Sequence, residues 1–207
     1  MQLFIFTFLF FIAPFASAQA QNPEAVLKDN MAMAQKLEDI AAPVLVGHPD
    51  LCGSYIRDYY GIEFMTRDSV GKTYQELVAK HYGVGDYPTI TILGKGSPAD
   101  GKLQAGDSIR SANGKVLRRG KDGQYALEDI LAAGGEISLR IIRKDAEQKI
   151  NLTPAKICGA VVRLEPSDED KIYAEKGKVF VSKGALRKRS ESALAVEIKS
   201  QLSRYKR

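Results

Sequence analysis

The segment from Gly94 to Leu117, GKGSPADGKLQAGDSIRSANGKVL, limits the fold more than any other part of the sequence. It is dense in Gly, Pro, Asp, Asn and Ser, which punctuate a chain with turns. Two tight turns, Gln104-Ala105-Gly106-Asp107 and Asn113-Gly114, bracket a short strand at Ser108–Ser111. Ahead of it, Tyr87 to Leu93 (YPTITIL) alternates as a strand does. Behind it, a helix from about Tyr125 to Ala133 is closed by Gly134-Gly135. Strands at Glu136–Ile142 and Gln148–Leu152 follow, turned by Lys144-Asp145-Ala146. Short strands, tight turns and one helix within a single stretch make the fold class α+β.

Both flanks carry helical patterns. Asn22-Pro23 supplies an N-cap and a proline at the first helical position. Leu27, Met31, Ala34, Leu37 and Ala41 then recur at helical spacing as far as Pro43. Residues 51–68 read as short extended pieces around Gly53 and Gly61. A second helix runs from about Thr73 to His81 and stops at Gly83, with His81 expected at the surface beside the negative helix end. Beyond Cys158, Val161–Leu164 and Lys178–Ser182 alternate as strands. From about Ser190 a helix places Leu194, Ile198, Leu202 and Tyr205 on one face, a stripe that needs a partner such as the N-terminal helix.

Composition narrows the classes of function. Hydrophobic residues at 44% and charged residues at 27% describe a globular chain of 207 residues. The net charge of +5 is local: residues 183–207 hold eight Lys or Arg and two Glu, and the remainder is near neutral. Leu3 to Ile12, LFIFTFLFFI, is too short for the roughly 20 residues of a membrane span. With Ala16, Ala18 and Ala20 behind it, residues 1–20 are expected to be a signal peptide, giving an exported, periplasmic or secreted protein. Two cysteines in such a compartment usually pair. A Cys52–Cys158 disulfide is therefore expected, joining the segments before and after the turn-rich unit. A metal site built on His48 and Cys52 lacks a third ligand nearby, and neither a cofactor nor a metal is expected.

The turn-rich stretch resembles a bacterial-type PDZ domain. The resemblance is carried by Ser97-Pro98-Ala99, Leu103-Gln104, Gly106-Asp107, Ile109 and Asn113-Gly114-Lys115, which stand in the order and spacing of that family. It implies a PDZ-like partly open β-barrel over residues 83–154, with flanking helices and a small α+β C-terminal segment. It also implies binding of an extended peptide or protein C-terminus, added as a strand to an exposed sheet edge. On that basis Gly83, Val84 and Gly85 would form the carboxylate loop, with Thr89 and Ile90 on the edge strand. Leu127, Ile130 and Leu131 would form the helical wall.

Residues 155–207 resemble the start of the catalytic domain in zinc metallopeptidases related to HtpX and the CAAX prenyl proteases. Cys158-Gly159, Val162-Arg163-Leu164, Ser167-Asp168, Tyr173-Ala174, Lys183-Gly184 and Leu186-Arg187 carry that resemblance. Such enzymes need His-Glu-x-x-His on a helix, so that two imidazoles hold zinc and the Glu takes a proton from bound water. The corresponding residues are Ser200-Gln201-Leu202-Ser203-Arg204. Ser is a poor zinc ligand, Gln cannot act as a base and Arg is a permanent cation. The sequence thus implies a non-catalytic remnant, the remnant positions being Ser200, Gln201 and Arg204. It implies an adaptor for peptides, with an envelope protease as a possible partner and no nucleic acid. An active metallopeptidase with other ligands, or a protein that meets anionic membranes through its basic C-terminal helix, are the alternatives.

Overall fold

A computed structural model describes residues 22–205. The expected signal peptide falls outside them. The first helix, α1 (Pro23–Gly47), begins where the sequence places it, with the Asn22 side chain accepting the Glu24 N–H at 3.0 Å. It does not stop at Pro43, which lies exposed within the helix. A proline removes one helical N–H and crowds the carbonyl four residues back.

After a 3-10 turn (Pro49–Cys52) come β1 (Ile56–Tyr59) and β2 (Ile62–Met65). A second 3-10 turn (Arg67–Ser69) leads into α2 (Lys72–Tyr82), closed by Gly83 in the left-handed conformation at φ 66°. The central run is β3 (Thr89–Leu93), β4 (Ser108–Ala112), β5 (Lys115–Val116), α3 (Lys121–Ala133), β6 (Ile137–Arg143) and β7 (Ala146–Leu152). Then follow β8 (Ala155–Cys158), β9 (Val161–Glu165), β10 (Ile172–Glu175), β11 (Lys178–Ser182), α4 (Lys183–Lys188) and α5 (Glu191–Ser203).

The central strands form one antiparallel sheet in the order β2-β3-β4-β6-β7, with β5 folded back on β4. The molecule is α+β with open sheets, and its central part is PDZ-like, a curled sheet closed on one side by α3. The expected boundary at Gly83 divides this sheet, because β2 belongs to it and precedes α2. Its core holds Ile90, Leu103, Ile109, Leu127, Leu139, Ile141 and Leu152, all nearly or fully buried. The Gln104–Asp107 turn is locked from inside. Asp107 accepts the Gln104 N–H at 2.8 Å and takes a two-pronged ion pair from Arg143, at 2.7 and 2.6 Å.

A second core brings together parts of the chain far apart in sequence. Leu37, Ile40, Ala41 and Leu45 of α1 pack with Val179 and Val181 of β11, Leu186 of α4, and Leu194, Ile198 and Leu202 of α5. The apolar stripe of the last helix is therefore covered by the N-terminal helix. Around this core β9 pairs parallel with β11, and β10 antiparallel with β11. The β1–β8 ribbon, in register Ile56 with Cys158, enters the same core.

Candidate functional site

The strand that sequence reasoning placed at the sheet edge lies inside it. β3 has β2 on one side and β4 on the other, and Thr89 and Ile90 are fully buried. It has no free side for a further strand. The proposed loop ahead of it is already engaged. Gly83 caps α2, Val84 is buried beneath that helix, and the Gly85 carbonyl accepts the Arg67 N–H at 2.9 Å. Asp86 pairs with Arg67 at 2.8 Å and its carbonyl accepts the Gly120 N–H at 2.6 Å. These residues hold α2 and α3 in place.

The edge is β2. Among the described residues it pairs with β3 alone, and α3 stands beside its open side. Gly94 N–H donates to the Gly61 carbonyl at 3.0 Å. In an antiparallel ladder such bonding residues alternate with ones that turn their peptide groups the other way. Ile62, opposite Leu93, therefore points its N–H and C=O away from β3. A bulge between Glu63 and Phe64 then bends the strand.

Both ends of this groove are pinned. At the first end Tyr60 hydroxyl donates to the Gly135 carbonyl at 2.7 Å, and Asp58 accepts the Gly135 N–H at 2.7 Å. Lys156 and that N–H together hold the Asp58 carboxyl below its ordinary range. Gly61, in between, has φ 77°, and a Cβ there would lie 2.0 Å from the Ser97 side chain. At the other end Gln124 of α3 accepts from both the backbone N–H and the hydroxyl of Thr66, each at 3.2 Å. The groove is lined by Tyr60, Gly61, Ile62 and Phe64 facing Glu128, Leu131 and Ala132, and Arg57 lines it as well. Of the three expected helical residues, Leu131 lines it, Leu127 is fully buried in the core, and Ile130 packs against that core. Glu128 and Arg57 were missed, being polar residues in positions that only the turn of α3 and the pairing of β2 define.

A second cleft adjoins the first, between β2, α1 and β9. Tyr59 hydroxyl donates to Glu38 of α1 within it. Burial raises the Glu38 carboxyl above its ordinary range, only partly offset by that hydroxyl. Burial, and then the Glu38 charge, raise Glu63 likewise. Tyr59 is pushed far up, first by burial and then by the same carboxylate.

The other expected positions are dispersed. Ser200 and Arg204 are exposed, whereas Gln201 is buried and donates to Glu197 at 2.7 Å. Lys199 approaches His48 Nε2 at 3.0 Å, and His81, partly buried rather than at the surface, lies 3.0 Å from Glu24. Among the described residues no three His, Cys, Asp or Glu side chains gather as metal ligands would. The basic residues are partly neutralised: Lys183 and Arg187 pair with Asp29, at 2.7 and 2.9 Å, and Arg189 with Asp170 at 2.6 Å. No described helix is long and apolar enough to cross a membrane. The 3-10 turn that ends at Cys52 packs against β8, whose last residue, Cys158, is buried; the side chain of Cys52 lies outside the described residues.

No family model matches the sequence, and no curated protein matches it. Among solved structures, the HtrA3 PDZ domain bound to a phage-derived ligand (FGRWV) aligns at 23% identity and a TM-score of 0.38, over 51% of this chain and 91% of that domain. The HtrA-type protease AlgW aligns with a tripeptide bound at 19% identity and a TM-score of 0.34, over 50% of this chain and 33% of its own. With a decapeptide bound, the values are 24%, 0.33, 49% and 29%. The aligned part thus spans a third or less of the AlgW chains.

Proposed function

We propose that this protein is an exported, non-catalytic module that binds extended peptides or protein C-termini between β2 and α3. The observation that carries the reading is the unpaired edge of β2, with the Ile62 peptide group turned into a groove whose opposite wall is Leu131 of α3. A strand added there gains main-chain hydrogen bonds, while side-chain pockets give selectivity. Arg57, which lines the same groove, would meet a terminal carboxylate. Descent of residues 155–207 from a metallopeptidase domain, with its zinc motif lost, belongs to the same proposal, as does a Cys52–Cys158 disulfide. An envelope protease is a fitting partner for such an adaptor.

Equilibrium binding to a peptide library, each member as free acid and as C-terminal amide, tests the reading. Free acids are expected to bind more tightly, and Leu131→Arg is expected to abolish binding while the far-ultraviolet circular dichroism stays unchanged. Undiminished binding by a folded Leu131→Arg variant overturns the groove.

A further inference from the structure

The cleft beside the groove is continuous with it: Arg57, Tyr59, Ile62, Phe64 and Glu128 line both. Its far wall is β9, which pairs with β11 on one side and with no strand on the other among the described residues. Residues of two edge strands, β2 and β9, thus line one space. A chain emerging from the β2–α3 groove meets this space, because Gln124 bonded to Thr66 closes the straight path along β2.

The charges in the cleft are unequal. Glu38, Glu63 and Glu128 face Arg57 and Arg163, and no ion pair within 4 Å joins these five among the described residues. Glu128 is exposed and accepts from Gln124 at 3.1 Å, so once a terminal carboxylate engages Arg57, Glu38 and Glu63 remain against Arg163 alone. Unpaired carboxylates drawn into a shared, partly dry site are costly, and a cation placed among them offsets that cost. The upward displacement of Glu38 and Glu63 by burial has the same origin.

We propose that the segment containing α1 and β9 forms a second part of the peptide site, which receives a Lys or Arg side chain upstream of the ligand's C-terminus between Glu38 and Glu63. This rests on the groove reading above. The ligand is then a peptide with a free carboxylate and a basic residue a few positions before it. The C-terminal segment takes part in recognition, as β9 supplies the wall.

The test uses the full mature chain and a library of free-acid hexapeptides, each made as a pair with Lys or Gln at one upstream position. At one position Lys is expected to bind about tenfold more tightly, the scale of one charge-assisted contact. Glu38→Gln, which keeps an acceptor for Tyr59, is expected to erase that preference and leave the Gln peptides bound as before. Arg163→Gln, on the exposed edge of β9, is expected to enlarge it, and remains informative should Glu38→Gln fold poorly. Equal affinity for Lys and Gln peptides at every position, with free acids still preferred over amides, overturns this inference and leaves the groove standing. Loss of binding to all peptides overturns both.

Discussion

Replacing Gly61 by alanine tests the construction of the groove at its tightest point. Two separate costs follow from the structure. The residue sits at φ 77°, where a Cβ costs about 1–2 kcal/mol. The new methyl would also fall 2.0 Å from both Cβ and Oγ of Ser97, a contact that real atoms cannot hold. Forcing an extra carbon into a packed site costs about 1–3 kcal/mol. Gly61→Ala should therefore lose about 2–5 kcal/mol, a large share of the stability of a domain this size. The two parts can be separated with Ser97→Gly, which removes the obstructing atoms. Ser97 Oγ is buried with no hydrogen-bond partner, so its loss deprives no group of a bond. The double variant should recover about 1–3 kcal/mol of the Gly61→Ala loss and retain the backbone part. Urea unfolding of the four proteins gives the cycle. Losses that add to within about 0.5 kcal/mol would show that Ser97 does not obstruct the site, and would refute the argument.

Other consequences are open to direct measurement. Asp107 has 1% of its side chain exposed and is paired with Arg143. Breaking a buried pair strands the remaining charge, so Asp107→Asn should lower stability by about 3–5 kcal/mol in chemical denaturation; a loss below about 1 kcal/mol contradicts that role. The pH dependence has two arms. Glu38 and Glu63 have raised values through burial, so their ionised forms weaken the fold at neutral pH and stability rises as pH falls through those values. Asp29, lowered by its bond to Lys183 and then Arg187, and Asp58, lowered by Lys156, stabilise above the ordinary carboxylate range and lose that contribution as pH falls below about 4. Thermal melts should peak on the acid side of neutrality, and a Glu38→Gln/Glu63→Gln variant that keeps the same rise from pH 7 downward rules out the first arm. Non-reducing peptide mapping should recover Cys52 and Cys158 in one linked fragment. Reduction should then cost about 4–5 kcal/mol, the loop-entropy value for so long a bridge, and an unchanged unfolding midpoint counts against the bridge.

Local chemistry was legible where one or two residues decide the backbone. Gly83 and Gly134 end their helices, and Asn113 and Gly114 both take the positive φ that a tight hairpin requires. Lys144 and Asp145 do so as well. The stripe on α5 was legible from spacing, and its cover by α1 follows from both helices needing to bury one face. The free sheet edge was not legible, because β2 has four residues and gains its place only by pairing with β3 across the whole of α2. The start of α3 was hidden by Gly120 and Gly123, which read as loop. Gly123 is in fact helical, and glycine is needed there because a Cβ would lie 1.9 Å from the Arg118 carbonyl oxygen. The pairing of the basic residues 183–207 was hidden for a related reason: two of their partners lie elsewhere in the chain, Asp29 in α1 and Asp168 in the loop between β9 and β10.

The β1–β8 ribbon closes a circuit, and this has a bearing on the order of folding. Everything from β2 to β7 lies between its two strands, so the PDZ-like unit is an insertion within a body assembled from what precedes and follows it. Lys36 reaches the Leu186 carbonyl, and Asp29 reaches Arg187, across 150 and 158 positions. Contacts so distant in sequence are slow to form, whereas the inserted unit contains the local β4–β5 and β6–β7 hairpins and no pairing nearly so distant. As the polypeptide is synthesised, the middle can condense first while the Leu37–Leu45 face of α1 waits uncovered. The start of the first helix packs on α2 through Leu27 and Val78, but its Leu37–Leu45 face is covered only once β11 and α5 arrive.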